Sequence, residues 1–281
     1  MNFCTHFDSN YLPQAMTLLK SLNDNIKSFN LFMLCMDDKS YEYLKSITLK
    51  NARILHYSLL EDQMPDLVEA RKNRNNIEYF FTCSPAVCKL IFLENRDIES
   101  VTYLDADLFF FSDPSVIFQE INDKSIAIIK HNFSLISRPN IKYGIFNVGW
   151  ITFKNDYQGK SCLNNWYKNC IDWCYQKVER NRYADQKYLD SWPDEYKNLI
   201  VIKNKGANLA PWNISKYNLS LKDDSIFVDE DKLVFFHFAN LHQIGNKKFK
   251  TNLSRVFKST SGILKLNIYL PYIKELKNNI N

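Results

Sequence analysis

Glycine is scarce in this chain, with six among 281 residues. So little glycine argues against a loop-dominated or low-complexity protein. Long apolar runs are also missing, and no stretch approaches the roughly 18 residues of a membrane-spanning helix. The first ten residues, MNFCTHFDSN, lack the basic region and apolar core of a signal peptide. We therefore expect a cytoplasmic globular protein, able to lie peripherally at the inner face of a membrane.

Cysteine pairs with metal-site spacing are also absent. The seven cysteines form no C-x-x-C pair. Cys170 and Cys174 are four residues apart on a predicted helix, but no nearby histidine completes a zinc site. Core or free thiols in a reducing compartment are the interpretation that this pattern favours.

Basic residues are concentrated near the end of the chain. Residues 246–281 contain eight Lys or Arg against one acid, Glu275, whereas the whole chain has a net charge of +5. Such a segment suits anionic lipid or nucleic acid. We expect a catalytic domain over 1–245 and a basic, helical tail over 246–281. The tail would pack on the domain or lie at an anionic membrane surface, and we expect no nucleic-acid partner.

The first part of the chain alternates between strand and helix patterns. Strands are predicted over Asn2–Phe7, Phe29–Met36 and Ala52–Tyr57. Apolar residues at helical spacing predict helices over about Tyr11–Asn25 and Tyr41–Ile47. This alternation predicts an α/β fold with a Rossmann-like sheet flanked by helices.

The remaining elements follow from the same patterns, with 131–143 as a loop of no clear period. We predict, in chain order, the helices Asp66–Arg74 and Ile77–Glu94 (broken near Pro85), the strands Ser125–Lys130 and Ile145–Phe153, the helix Asp156–Val178, a helix starting at Ala184, the strands Ile200–Lys203, Ile214–Leu219 and Lys232–Phe238, and a basic amphipathic stretch over Ile263–Leu276.

The stretch 101–114, VTYLDADLFFFSDP, dominates the functional prediction. A buried strand, Val101–Leu104, delivers Asp105 and Asp107 at its carboxyl end. Ligands of open α/β sheets bind outside the carboxyl ends of strands. Two carboxylates one residue apart suit a hard divalent cation that also takes phosphate oxygens. The alternative is a strand end whose aspartates are merely solvated.

At Tyr103-Leu104-Asp105-Ala106-Asp107 the chain resembles nucleotide-sugar glycosyltransferases of the GT-A fold. It is most similar to the retaining family 8 group of bacterial lipopolysaccharide galactosyl- and glucosyltransferases and glycogenin. Further stretches over residues 1–245 match in the same order: CTHFDSNYL near the N-terminus, Lys89 where the family usually has Arg, Phe146-Asn147-Val148-Gly149, Ala184-Asp185-Gln186 and Phe236-His237-Phe238.

The late segment departs from the family pattern. Asn240 replaces a glycine, and no Pro-Trp follows. A second register, starting at His242, keeps Gly245 and Lys248 but shifts the histidine. His237 and His242 both remain candidate metal ligands, with His237 favoured because it ends an apolar strand. The segment Gly206–Asn213 looks more like a bacterial branch that makes surface polysaccharides.

The resemblance implies a metal, a nucleotide-sugar donor and a glycan or lipid-linked acceptor. Asp105, Asp107 and His237 would hold Mn²⁺, or Mg²⁺, against the donor diphosphate. A UDP-sugar is the expected donor. Its binding residues would be Thr5, Asp8, Tyr11, Lys89, Asp105, Ala106, Asn147, Gly149 and Lys248.

The reacting sugar and the acceptor would meet a second set of residues. Asp185 and Gln186 are the expected catalytic pair, with Asp185 held ionised by the dipole of a helix that starts there. Trp150, Asn208 and Trp212 are candidates for the acceptor pocket. A core position is at least as compatible with each tryptophan.

Two other functions stay open at this point. Metal phosphohydrolases also carry Asp-x-Asp after a strand, although usually followed by a small polar pair, where this chain has Leu108-Phe109. A non-catalytic nucleotide- or carbohydrate-binding protein of the same fold is the third hypothesis.

Overall fold

Seven strands form the central sheet in the computed structural model of the chain, which describes residues 1–244, 248–251 and 261–279. All strands in chain order are β1 (Asn2–Phe7), β2 (Asn30–Cys35), β3 (Ala52–His56), β4 (Ser100–Leu104), β5 (Leu108–Phe110), β6 (Ile126–Lys130), β7 (Phe146–Lys154), β8 (Leu199–Ile202), β9 (Leu219–Lys222), β10 (Ser225–Val228), β11 (Asp231–Lys232), β12 (Phe235–His237), β13 (His242–Ile244) and β14 (Lys248–Lys250). The sheet order is β3-β2-β1-β4-β7-β6-β8.

The sheet is mixed. Strands β3, β2, β1 and β4 run parallel, as the alternation of strand and helix predicts. Strand β7 is antiparallel to both β4 and β6, and β8 is parallel to β6. The predicted α/β class with a Rossmann-like mixed sheet is therefore confirmed.

Helices cover both faces of this sheet. The helices of the described residues, in chain order and including two near the end of the chain that pack elsewhere, are α1 (Leu12–Asn25), α2 (Asp38–Lys45), α3 (Tyr57–Gln63), α4 (Pro65–Arg71), α5 (Asn76–Glu94), α6 (Ser115–Ile121), α7 (Tyr157–Asp172), α8 (Trp192–Glu195), α9 (Ser261–Ile263) and α10 (Leu270–Asn278). One core packs α3, α4, α5 and α7 against one face, and a second packs α1, α2 and α6 against the other. Side chains of a strand alternate between the faces, so Cys4 belongs to the first core and Phe3 to the second.

A third core joins the small strands to the end of the chain. A π-helical turn, Leu264–Tyr269, connects α9 to α10. Tyr269 at the end of this turn and Tyr272 in α10 pack against Phe236 and Phe238. The rings of Phe238 and Tyr272 are stacked, with their centres 3.7 Å apart. Within the basic end of the chain, residues 261–278 are thus helical and pack on β12, whereas Lys248–Lys250 form the strand β14. The division of the chain at residue 245 stays a prediction.

Several predicted elements differ in the structure. Pro85 does not break α5, because the helix is clamped between the sheet and α7, and burial outweighs one lost hydrogen bond. Helix α7 ends at Asp172 rather than Val178, and the nearby Gln176 N–H donates to the Glu78 carboxylate. The predicted strand Ile214–Leu219 begins as a 3-10 turn, in which the Lys216 N–H donates to the Asn213 carbonyl oxygen and the Tyr217 N–H to the Ile214 carbonyl oxygen.

No helix among residues 1–244, 248–251 and 261–279 is both long and apolar enough to cross a bilayer.

Candidate functional site

The tight turn between β4 and β5 presents two carboxylates. Asp105 and Asp107 follow β4 directly, and the Leu108 N–H donates to the Asp105 carbonyl oxygen at 3.3 Å to close the turn. Strand β5 then pairs antiparallel with β12, in a register that sets His237 opposite Leu108. The Phe238 N–H also donates to the Asp107 carbonyl oxygen at 3.0 Å. Backbone pairing therefore brings a residue 130 positions later in the chain to the aspartates.

Asp105, Asp107 and His237 form a compact group of metal-type ligands. His237 Nε2 lies 3.0 Å from Asp107 Oδ1 and 3.6 Å from Asp105 Oδ2. One ligand atom from each residue lies within 4.8 Å of the other two. Two carboxylates and one imidazole are a donor set for octahedral Mn²⁺ or Mg²⁺. The residues present therefore fit the predicted cation, and His237 is the histidine that meets the aspartates. The side chain of His242, on β13, lies outside the described part.

Asn147 and His131 orient His237 from behind. His237 Nδ1 lies 3.2 Å from Asn147 Oδ1, and the Asn147 Nδ2 lies 3.4 Å from His131 Nε2. An amide oxygen can only accept, so His237 Nδ1 carries a proton and Nε2 is the nitrogen that faces the carboxylates, where it can bind a cation once it has lost its own proton. The predicted sugar contact Asn147 thus also supports the metal-type ligand.

Close packing leaves His237 little freedom. The indole of Trp212 meets the His237 ring edge-to-face, with ring centres 5.0 Å apart. The Trp212 Nε1–H donates to the His131 carbonyl oxygen at 2.8 Å. A Cβ on Gly149 would lie 2.6 Å from Asn147 Oδ1 and 2.9 Å from His237 Nδ1. A glycine is therefore required at 149, because any side chain would push these two groups apart.

Burial and the charges of neighbouring groups together shift the pKa values of Asp105 and His237. Burial, together with neighbouring Asp107, raises the pKa of Asp105 to about 6, although His237 acts to lower it. Burial alone would lower the pKa of His237, but Asp107 and Asp105 outweigh it and hold that pKa above the usual histidine value. The ion-free cluster therefore shares protons near neutral pH, and a cation would displace them.

A cleft of about 520 Å³ opens over this cluster at the carboxyl ends of β1 and β4. Its lining comes from β1 and the turn after it, α5, the end of β4 with the β4–β5 turn, β7, the segment after α7, and β12 with the turn after it. The lining residues are His6, Phe7, Asp8, Tyr11, Asn76, Ile77, Phe80, Phe81, Ser84, Tyr103, Asp105, Ala106, Asp107, Asn147, Val148, Gln176, Asp185, Gln186, His237 and Asn240. Four lining residues are aspartates, and none of the described ones is a lysine or arginine. An anionic ligand in this cleft therefore needs a cation to bridge it to the wall.

Asp185 and Gln186 reach the cleft from a turn rather than from a helix start. The 3-10 helix that follows begins only at Lys187, so the predicted stabilisation of an ionised Asp185 by a helix dipole is wrong. Burial instead raises the pKa of Asp185 to about 7, with the Ser84 hydroxyl opposing the shift. The Gln186 Nε2 donates to the Tyr143 carbonyl oxygen at 2.8 Å, so the amide oxygen is the end left for a ligand.

Tyr103, His6 and Ser84 belong to the site but were missed from the sequence. The Tyr103 hydroxyl donates to Asp105 Oδ1 at 3.1 Å and lies 3.3 Å from His6 Nδ1. Burial lowers the pKa of His6 to about 4, so its ring is neutral. Strand alternation could have found Tyr103, two residues before Asp105 and hence on the same face. No comparable signal marks Ser84, which lies on a helix far from every motif.

Several other predicted residues line the cleft. Asp8, Tyr11 and Ala106 are in its wall, and Asp8 Oδ1 accepts from the Tyr11 N–H at 3.2 Å. Thr5 is buried within β1, below the lining. Lys248 belongs to β14, and its side chain is outside the described part.

Three predicted residues lie elsewhere. The Lys89 Nζ sits 4.3 Å from the centre of the Tyr167 ring, on the side of α5 that faces α7, and not in the cleft. Trp150 is fully buried and stacks on Phe235, so its predicted place in an acceptor pocket is wrong. Asn208 is also buried, and its Nδ2 donates to the Lys130 carbonyl oxygen at 3.2 Å.

Asn240 explains one departure from the family pattern. Its backbone has φ 60°, in the left-handed region that favours glycine. Asparagine tolerates this region better than other residues with a side chain. The structure therefore keeps the backbone shape that a glycine would give, and Asn240 adds an amide to the wall of the cleft.

Comparison with known proteins gives close relatives by sequence. No family model matches the chain. YfnD of Bacillus subtilis strain 168, an uncharacterized protein, is 32% identical over 283 residues, which span all of this chain and 90% of YfnD. This chain belongs to the YfnD family. A second member from the same organism, the uncharacterized protein YfnF, is 29% identical, over 88% of this chain and 84% of YfnF.

The solved structures of two enzymes resemble this member of the YfnD family in fold. The galactosyltransferase LgtC, in complex with donor and acceptor sugar analogs, superposes with a TM-score of 0.59 at 15% identity, over 85% of this chain and 87% of LgtC. Mouse xyloside xylosyltransferase 1, in its apo form, gives a TM-score of 0.52 at 16% identity, over 84% of this chain and 97% of that enzyme. The fold is therefore that of the GT-A glycosyltransferases, as the motifs predict.

Proposed function

We propose that this protein is a metal-dependent hexosyltransferase. It moves a hexose from a nucleotide diphosphate sugar, most simply a UDP-sugar, to a saccharide or lipid-linked acceptor in bacterial surface glycan synthesis. The observation that carries the proposal is the Asp105–Asp107–His237 cluster at the floor of a 520 Å³ cleft, at the strand ends of a GT-A fold. The YfnD relatives have no assigned activity, so the proposal rests on the site.

The charge of the cleft supports metal dependence. A nucleotide diphosphate brings negative charge to a wall that already holds Asp8, Asp105, Asp107 and Asp185. Mn²⁺, or Mg²⁺, held by the cluster would supply the Lewis acid that neutralises charge on the leaving diphosphate. Asp107 is the more direct ligand in this proposal, because its oxygen is nearest His237 Nε2, and Asp105 also reaches the ribose.

Asp185, Gln186 and Asn147 are proposed to hold the transferred sugar. With a pKa near 7, Asp185 can donate to or accept from sugar hydroxyls at neutral pH. Gln186 offers its amide oxygen beside them. Retention is proposed from the resemblance to retaining glycosyltransferases. Because a neutral amide is a poor nucleophile, we propose that a retaining transfer takes the front-face route. In that route the bond from C1 to the phosphate oxygen breaks, the acceptor oxygen bonds to C1, and its proton passes to the leaving phosphate.

The aromatic wall formed by Tyr11 and by the first turns of α5 is proposed to receive the nucleobase. Trp212 is the remaining candidate for the acceptor side.

We place the enzyme in the cytoplasm, where the seven cysteines stay reduced, and none of them forms a disulfide in the structure.

The basic end of the chain is proposed to contact anionic lipid. The outward-facing side of 261–278 carries Lys265, Leu266, Leu270 and Lys274, while its inner side packs on β12. Basic residues near such a surface contribute about 1 kcal/mol each. An acceptor carried on lipid would then be close to the enzyme.

Asp107→Asn tests the central proposal. The change removes the charge of the ligand nearest His237, so we expect Mn²⁺-dependent stabilisation by the donor to disappear and transfer to fall by at least about a hundredfold. Thermal shift with UDP-, GDP- and CMP-sugars, with and without Mn²⁺, identifies the donor on the wild type. Transfer of labelled sugar then measures turnover.

Asp113→Asn is the matched control, since Asp113 is exposed in the same stretch and, among the described residues, its carboxylate accepts only from the nearby Ser115. Wild-type transfer rates in the Asp107 variant would rule the proposal out. Phosphate release from simple esters without an acceptor would point to a phosphohydrolase, and metal-dependent UDP binding without turnover to a binding protein.

A further inference from the structure

The segment between β6 and β7, residues 131–145, leaves four aliphatic side chains in solvent. Leu135 is 85% exposed and Ile136 is 61% exposed, while Ile141 and Ile145 are each 40% exposed. Single exposed aliphatic residues are ordinary, but four within eleven positions, on either side of and within the 3-10 helix Arg138–Tyr143, are a concentration that favours an interaction surface. We call residues 131–145 the β6–β7 loop.

Hydrogen bonds hold the base of the β6–β7 loop in place. The His131 N–H donates to the Ile145 carbonyl oxygen at 3.0 Å and closes the base. The Ser134 N–H donates to the Trp212 carbonyl oxygen at 2.9 Å. The loop tip is therefore presented on a fixed base, and its aliphatic side chains stay outside although the core is close.

The same bonds tie the loop to the cleft. Tyr143 accepts from Gln186, which lines the cleft, and the Tyr143 ring packs on Tyr183 with centres 4.6 Å apart. His131, at the loop base, bonds to Asn147 behind His237. The loop is consequently anchored to two residues of the cleft wall, Gln186 and Asn147.

The charged residues of the β6–β7 loop indicate which kind of partner its exposed aliphatic side chains would meet. The exposed part of the loop carries Arg138 and Lys142, and residues 131–145 include no acidic side chain. Asp190, which accepts from the Ile145 N–H at 2.7 Å, is offset by Lys187 3.6 Å away. Aliphatic tips flanked only by cations match an anionic bilayer, whose acyl region takes the aliphatics and whose headgroups take the cations.

We propose that the β6–β7 loop is a bilayer-docking element that inserts Leu135 and Ile136 into an anionic lipid surface. Docking sets the cleft against the membrane, so the proposed acceptor is presented on lipid rather than free in solution. Lipid binding by the loop is independent of the proposed transfer reaction, whereas the lipid-borne acceptor rests on it.

Vesicle co-sedimentation of the full chain tests the proposal. The vesicles are phosphatidylcholine alone, or phosphatidylcholine mixed with phosphatidylglycerol. We expect binding to the mixed vesicles, and a loss of at least about tenfold in partitioning for the Leu135→Ser/Ile136→Ser variant, because two aliphatic side chains no longer leave water. An Arg138→Gln/Lys142→Gln variant should lose the preference for phosphatidylglycerol.

Matched controls separate the loop from general surface apolarity and from the basic end of the chain. Val116→Ser/Leu221→Ser removes two aliphatic residues of 41% and 47% exposure from other elements and should bind like the wild type. Leu266→Ser/Leu270→Ser tests the terminal helix separately. Wild-type partitioning of the Leu135/Ile136 variant would overturn the proposal, as would a self-associated wild type that this variant converts to monomer without altered lipid binding.

A second readout distinguishes this failure from failure of the proposed function. Stabilisation by UDP-sugar with Mn²⁺ should be the same in the wild type and in the Leu135→Ser/Ile136→Ser variant, because the changed side chains are outside the cleft. Lipid binding without donor stabilisation in the wild type would reject the transferase and keep the docking loop. Donor stabilisation without loop-dependent lipid binding would reject the docking loop and keep the transferase.

Discussion

Individual residues behind the metal-type cluster decide its geometry as much as the ligands do. His237 approaches the aspartates with one nitrogen because the other is held by Asn147. Second-sphere partners of this kind typically change metal affinity by ten- to a hundredfold. The space at Gly149 allows that contact, so Gly149 would influence a bound metal without touching it.

Gly149→Ala should therefore weaken metal binding while every ligand stays present. The added Cβ would meet Asn147 Oδ1 and His237 Nδ1 at under 3 Å, and the imidazole must turn away. We expect Mn²⁺ affinity to fall by about ten- to a hundredfold. Isothermal titration, with the EPR signal of bound Mn²⁺ as a second readout, measures the change.

Gly262→Ala is the control, because a Cβ there meets nothing within 4 Å. Unchanged Mn²⁺ affinity in the Gly149 variant would show that His237 is not positioned in this way.

Asp185 makes stability depend on pH in an unusual direction. Its pKa is raised to about 7 in the folded protein and is near 3.8 otherwise. Between these values the folded state holds a proton that the unfolded state has lost, so the free energy of unfolding falls as pH rises from about 4 to 7. Above pH 7 the loss is complete, and it amounts to at most about 4 kcal/mol.

Asp185→Asn should remove this dependence, since the amide mimics the protonated carboxyl. We expect the variant to match the wild type near pH 3.5 and to be more stable than it at pH 8. Urea unfolding of the metal-free proteins across that range tests this. A variant that is less stable than the wild type at pH 8 would contradict it.

Among the elements, the terminal helical stretch supports the site from the opposite side of β12. Phe238, next to His237, stacks on Tyr272, and Phe236 packs on Tyr269. The three rings of Phe238, Tyr269 and Tyr272 are buried together. Residues 261–278 thus form a wall of the third core as well as a basic surface.

Tyr272→Ala should consequently lower the free energy of unfolding by about 3 to 5 kcal/mol, because it leaves a ring-sized cavity in that core. Chemical denaturation gives the value. Tyr272→Phe keeps the ring and should cost less than about 1.5 kcal/mol. Equal stability of the alanine variant and the wild type would mean that the helix does not contribute to the fold.

Across the whole molecule, the features that local sequence patterns determine could be predicted, whereas those that depend on long-range contacts could not. The strands up to β4 and the placing of Asp105 and Asp107 follow from periodicity over a few residues. Trp150 was misplaced because nothing local distinguishes a core indole from one in a pocket. Asp185 was misjudged because its turn, with Ala184 at φ 46°, resembles a helix start in sequence.

His131 was not predicted for a related reason. It reaches His237 only through Asn147 on β7, and no spacing links three residues brought together by sheet pairing. Resemblance to a family supplied His237 and Gln186, which neighbouring residues alone would not have marked. Lys89 was also predicted to bind the donor from the resemblance to a family. It lies on a face of α5 that turns away from the cleft.

Asn240 has a consequence for how relatives are recognised. A search pattern that demands glycine at this position describes a residue, whereas the fold demands a backbone angle near φ 60°. Asparagine satisfies the same angle, so a pattern with invariant glycine passes over every chain that made this exchange. A pattern that admits either residue, together with the Asp-x-Asp turn and the histidine three positions earlier, would include chains with this exchange.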